Sequence, residues 1–167
     1  MKPVILTDRD GGQYIWPHFP PYDVYCEQQP SRIDPVFKAA WVKSLRSGVY
    51  QQIYRALRVE SASGKIVLGH CCLGVACDIL AKDNRGEWSG RGPHLLNGEV
   101  LNRRTFIYDG DLSSLSLPSS VANGLKLMTT GGALGFWDRK GIALDLAAAN
   151  DEGCTFDQIA DLIDYFL

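Results

Sequence analysis

The sequence predicts an α+β domain in which antiparallel β-hairpins carry three to four helices. Three observations lead there. Turn signals at Ser61-Ala62-Ser63-Gly64, Asp109-Gly110 and Asp138-Arg139-Lys140-Gly141 punctuate β-rich segments. Apolar residues recur at helical spacing in three other stretches, opening near Asp34, Cys71 and Thr155. An apolar fraction of 46% over 167 residues supplies one core without metal or disulfide staples.

In chain order, Val4-Ile5-Leu6 and Gln13-Tyr14-Ile15-Trp16 are short strand candidates around Asp10-Gly11-Gly12. Pro17-His18-Phe19-Pro20-Pro21-Tyr22 follows, and its prolines exclude regular structure. Residues 17 to 33 read as an extended arm, so 1–33 form an amino-terminal extension and 34–167 the globular domain. Asp34-Pro35 opens a helix with a capping side chain and proline at the first helical position. Phe37, Trp41 and Leu45 give it one apolar stripe, and Gly48 suits its end. Ile53–Glu60 and Lys65–Leu68 read as a hairpin. Cys71–Leu80 lacks alternation and carries Leu73, Ala76, Cys77 and Leu80 at helical spacing, so it reads as a buried helix.

Asp83–Pro93 reads as a polar, glycine-rich loop around Trp88. Strand signals return at Val100-Leu101 and at Thr105–Tyr108. A short helix begins at Ser119 or Ser120 and runs through Leu127, and Ala133–Trp137 pairs with Ile142–Leu144 as a hairpin. Thr155-Phe156-Asp157-Gln158 is a capping box before a helix whose Phe156, Ile159, Ala160, Ile163 and Phe166 share a face. Phe37, Trp41, Leu45, Leu73, Ala76, Leu80, Phe156, Ile159 and Ile163 are expected to line one core.

Charge and composition exclude several classes. The formal charge of −2 creates no overall positive field toward nucleic acid, which is an unexpected partner. No stretch approaches the roughly 20 apolar residues of a membrane helix. Asp8, Arg9 and Asp10 end the first apolar run, so no secretory leader is expected. Five cysteines without an export signal read as reduced thiols in a cytosol.

Three blocks carry a resemblance. Trp41–Gln52 with Leu57-Arg58 is the first, Cys71-Cys72-Leu73-Gly74-Val75-Ala76-Cys77-Asp78 the second, and Asn150–Asp161 the third. In this order they resemble a group of small tailed-phage proteins. Those proteins pair a "W…LRSG.Y.Q…LR" opening with "CCLGV.CD" and end in "ND.G.SF..IAD.I". The resemblance implies a setting, the cytoplasm of an infected bacterium, rather than a mechanism.

Catalytic and metal chemistry are weakly signalled. Cys71, Cys72 and Cys77 do not form a Cys-x₂-Cys pair, and no metal site or cofactor is expected. A thiolate nucleophile at Cys71 or Cys72 would gain from a helix N-terminus, but its base would have to be His18, His70 or His94, none placed by sequence. The alternative is that Cys72 and Cys77 are small buried hydrophobes. Thr129–Gly135 is glycine-rich without the Lys-Ser/Thr of a phosphate loop, and the paired aspartates lie in turns.

Two stretches read as binding surfaces. One is the arm, with Trp16 and His18. The other is Arg85, Trp88 and Arg91, with Arg103 and Arg104 downstream. Tryptophan and arginine bring contact area and directional bonds at modest entropic cost. The expected function is non-enzymatic: binding and inhibiting or sequestering a host or anti-phage defence component, either a protein or a nucleotide-type signal. A thiol-dependent hydrolase or transferase on Cys71 or Cys72 is the alternative.

Overall fold

The computed structural model describes residues 4–7, 13–16, 33–96, 99–127, 129–137 and 143–167. Strands β1 (Val4–Thr7) and β2 (Gln13–Trp16) pair antiparallel, as their turn signal predicts. Helix α1 (Pro35–Leu45) starts on Asp34, whose Oδ1 accepts from the amides of Val36 and Phe37 at 2.8 and 3.0 Å. Two helical donors that would otherwise be orphaned are thereby met. Gly48 follows in the left-handed region, at φ 69°.

Strands β3 (Arg58–Glu60) and β4 (Val67–His70) form the expected hairpin, and helix α2 (Cys72–Lys82) leaves β4 directly. Strands β5 (Glu87–Leu96) and β6 (Glu99–Tyr108) form a long hairpin, and β7 (Asp111–Ser113) turns back on β6 through Asp109-Gly110. The sheet is antiparallel, ordered β4-β3-β6-β5, with β7 also on β6. Helix α3 (Ser119–Gly124), the hairpin of β8 (Ala133–Trp137) and β9 (Ala143–Asp145), helix α4 (Leu146–Asp151) and helix α5 (Phe156–Phe166) complete a single α+β domain. Thr155 and Gln158 close the capping box reciprocally.

Side-chain alternation divides the sheet. Val59 joins Ile53, Ala56, Leu101 and the half-buried Leu68 in a small apolar cluster. Arg58 and Glu60 take the other face, toward the helices. There Phe106 joins the main core with all nine residues expected to line it. Ile33, the last residue assigned to the arm, is buried in that core too.

Three expectations are corrected. The loop 83–93 is a short turn followed by β5, whose pairing with β6 shifts register between Ser89 and Gly92. That bulge takes up Gly90 and Gly92, and Gly86 sits in the turn before the strand. Val100-Leu101 and Thr105–Tyr108 are one continuous strand, because Asn102 and Arg103 between them pair with both β3 and β5. The described residues hold five helices rather than three or four. Helix α4 is the addition, and at six residues it is too short to show helical periodicity.

Candidate functional site

Helix α2 carries a polar network at each end. At its start, Cys71 occupies the N-cap and its Sγ accepts from the Gly74 amide at 3.4 Å. The Cys72 amide donates to Asn150 Oδ1 at 3.2 Å, and the Cys72 thiol donates to the Leu146 carbonyl. Trp41 Nε1 donates to the Cys72 carbonyl at 3.0 Å. Asn150 is fully buried. Its Oδ1 also accepts from Gln52 Nε2, and its Nδ2 donates to the Ile53 carbonyl and to Asp151 Oδ1. Two donors and two acceptors saturate the amide. The three resemblance blocks meet at this node.

At the other end, Asp78 organises a charged cluster. Its Oδ2 accepts from Tyr50 Oη at 2.7 Å and pairs with Lys82 Nζ at 2.9 Å. Lys82 also donates to Tyr50 Oη at 2.8 Å. The indole of Trp88 donates to Asp78 Oδ1 at 3.3 Å. Arg58 NH1 and His70 Nε2 stand 3.8 and 3.9 Å from that same oxygen. On the sheet, Glu60 lies between two guanidiniums: Arg58 NH2 at 2.7 Å on Oε1 and Arg104 NH1 at 3.4 Å on Oε2. Arg58 also covers the Trp88 ring at 5.2 Å, and Arg104 NH2 donates to the Trp88 carbonyl at 2.9 Å. Edge-on ring contacts run from Tyr50 through His70 and Trp88 to Phe106.

Backbone geometry explains why these side chains meet. Arg58 and Glu60 are two apart on β3 and project to one face. Arg58 pairs with His70 across the β3–β4 ladder, and Trp88 pairs with Phe106 across β5–β6. Asp78 and Lys82 are one helical turn apart on α2.

The electrostatics follow burial. His70 is held neutral: burial drives its pKa from the ordinary 6.5 down to about 4, against the opposing pull of Asp78. Burial raises Asp78 too, but hydrogen bonds from Lys82 and Tyr50 outweigh it and leave the carboxyl below its usual range. The Tyr50 hydroxyl and the Tyr50–Lys82 bond push the other way: burial raises Tyr50, and the bonds to Tyr50 and Asp78 raise Lys82. The cluster thus sets three fixed cations, Arg58, Lys82 and Arg104, against two carboxylates, Glu60 and Asp78. Among the described residues, the buried side-chain nitrogens and oxygens without a hydrogen-bond partner are Arg58 Nε, His70 Nε2 and Arg104 Nε. All belong to this cluster.

The sequence-derived candidates are distributed unevenly. Trp88 and Arg104 are in the cluster. Trp88 is half-buried and packs on the main core, so it is not the exposed tip of a flexible loop. Arg85 is exposed in the turn before β5. Arg103 lies on β6 opposite Val59, on the sheet face away from Arg104. Arg91 and Trp16 are placed on β5 and β2 as backbone, their side chains outside the described set, and His18 lies outside the described residues. Cys71 and Cys72 are buried; burial pushes the Cys71 thiol up to about 12, and Cys72 and Cys77 also well above the ordinary range. Burial thus disfavours the thiolate, the nucleophilic form, at all three. Among the described residues, no group of histidine, cysteine and acidic side chains is arranged to hold a metal, and no helix is long and apolar enough to cross a membrane.

Tyr50, Arg58, Glu60, Asp78 and Lys82 belong to the cluster but were missed by sequence reasoning, and His70, considered there as a base for a thiol, stands in it too. Their signal was available: charges two apart on a strand and four apart on a helix that is otherwise buried.

Residues 33–167 match the family model described as Domain of unknown function (DUF8296), and the chain belongs to that family. No curated protein and no solved structure matches the chain.

Proposed function

We propose that this member of the DUF8296 family is a phage-encoded, non-enzymatic binding protein acting in the cytoplasm of an infected bacterium. It inhibits or sequesters a host or anti-phage defence component, a protein or a nucleotide-type signal. The phage setting rests on the three sequence blocks. The single observation that carries the binding role is the Asp78 cluster. A buried charged network costs more than an apolar core of equal volume unless every member is satisfied. This one keeps three unpaired nitrogens around the half-buried Trp88 and reaches solvent at Lys82. Stability alone gives no reason to retain such an arrangement, and recognition of a partner gives one. The alternative, thiol chemistry at Cys71 or Cys72, receives no support from groups so buried and so weakly acidic.

The test is capture from host lysate, read by mass spectrometry with parallel extraction of small molecules. The wild type is compared with a Lys82→Ala/Arg85→Ala double variant, both sites being exposed. The wild type is expected to retain a specific protein or small molecule and the variant to lose it with little change in melting temperature. Retention of the same partner by a folded variant moves the interface elsewhere, and the amino-terminal arm is then tested.

A further inference from the structure

We infer that the Arg58–Glu60–Arg104 end of the cluster is a binding site for an oxyanion, a phosphate or carboxylate group. The inference rests on the binding role proposed above and names the chemistry of what is bound.

Two independent accounts of the cluster lack the same thing. The first is charge. Lys82 is matched by Asp78 at 2.9 Å, which leaves the two guanidiniums of Arg58 and Arg104 to share Glu60. One positive charge is uncompensated. The second is hydrogen bonding. Arg58 and Arg104 spend their terminal nitrogens on Glu60, Asp78 and the Trp88 carbonyl, while the Nε–H of each points at no acceptor. A guanidinium never deprotonates in a protein, so those Nε atoms are donors at every accessible pH. His70 Nε2 is the third unpartnered nitrogen, on a side chain only 6% exposed, and it adds a donor in the tautomer that carries its proton there. Missing negative charge and missing acceptors are supplied together by one group with several anionic oxygens.

A neutral ligand would answer the hydrogen bonds and leave the charge. A bare halide would answer the charge and leave most donors unmet. A further cation would worsen both. The two Nε atoms are themselves buried, so an anion approaches through the exposed parts of Arg58 and Arg104, 18% and 16% of each side chain, and meets Nε as those side chains turn. One face of the Trp88 ring is already covered by Arg58, so the site selects for the anionic group rather than for stacking of a base.

The experiment uses the purified full-length chain. Inorganic phosphate, adenosine monophosphate and succinate are titrated separately at constant ionic strength against potassium chloride, with melting temperature and tryptophan fluorescence as readouts. At least one oxyanion is expected to give a saturable rise in melting temperature that chloride does not. A response to phosphate or the nucleotide identifies a phosphate-bearing ligand. A response to succinate alone identifies a carboxylate source, such as an acidic side chain of a partner.

Variants then move in opposite directions. Arg104→Gln should weaken the apparent affinity about tenfold or more, the loss expected on removing a charge-assisted hydrogen bond. Glu60→Gln removes the internal competitor and should tighten it. Lys82→Ala, at an exposed position, keeps the comparison available if Arg104→Gln does not fold, and should weaken binding by loss of charge. The inference is overturned if none of the three anions gives a saturable response in the wild type, or if the response is the same in Arg104→Gln, Lys82→Ala and the wild type. Anion binding without partner capture would sink the proposed function and leave this site standing. Partner capture without anion binding would do the reverse.

Discussion

The two ends of α2 hold polar groups in opposite ways. At the start of the helix, Asn150 is neutral, buried, and saturated by four hydrogen bonds. At its far end, Asp78 and its neighbours are charged, partly open and incompletely paired. The Asn150 node joins the 51–57 segment, α2 and α4, so its bonds lock three separate parts of the chain into one geometry. The Asp78 cluster also joins separate segments, Tyr50, β3, β4 and β5 to α2, but it does so around a carboxylate whose neighbours keep three nitrogens unmet. A saturated buried amide serves the fold. An unsaturated buried charge set is tolerated by the fold and has another use.

The largest expected effect tests the rigid end. In α2, a Cβ on Gly74 would collide with the Leu57 carbonyl oxygen, a backbone atom that cannot swing aside. Gly74→Ala should cost about 4 kcal/mol or more, or abolish folding, as read by urea denaturation. Asn150→Ala should follow at about 3 kcal/mol, since it strands the Cys72 amide and the Ile53 carbonyl in the interior. A loss below about 1 kcal/mol would remove the distinction between the two networks.

The charged end should reveal itself through pH. His70 has a folded pKa of about 4 against an ordinary 6.5. As pH falls below 6.5 the unfolded chain takes up a proton that the folded chain refuses. The His70 contribution to stability is therefore complete above pH 6.5 and is lost by pH 4, about 3 kcal/mol in all. His70→Gln should flatten that decline in denaturation curves recorded across the window. An unchanged slope would mean that His70 is not the group responsible.

The smallest expected effect is the most diagnostic. Replacing Arg58, Glu60 and Arg104 together with methionine or leucine should leave stability within about 2 kcal/mol of wild type, or raise it. The same variant should lose oxyanion binding. A loss comparable to Asn150→Ala would show that the triad is structural after all.

The helical half of this molecule was legible because its signals are local. The Asp34 cap, the Phe37–Trp41–Leu45 stripe and the Thr155–Gln158 box each lie within a few residues and need no partner to be recognised. β5 was not legible. Its glycines and that of the turn before it mimic a loop, yet the turn's Gly86 is required by packing, since a Cβ there would lie 2.6 Å from Phe106 Cζ. Trp88 and Arg104 were picked out by residue type, and the structure brings the Arg104 guanidinium to the Trp88 carbonyl. Their meeting with Tyr50, Glu60 and Asp78 depends on strand register and on the exit angle of α2, which no short window of sequence contains.

The Asn150 node also sets a schedule. Its bonds reach back 78 residues to Cys72 and 97 to Ile53. During synthesis the sheet strands and α2 emerge long before the side chain that ties them together. Until residue 150 has cleared the ribosome, the Cys72 amide and the Ile53 carbonyl lack their buried partner, and the 51–57 segment is held by its backbone bonds to His70, Cys71 and Ser114 without the side chain that completes the junction. Consolidation of the domain is therefore a late, nearly all-or-none event that awaits the last two helices, and any truncation before α4 should yield a chain open to proteases rather than a smaller folded unit.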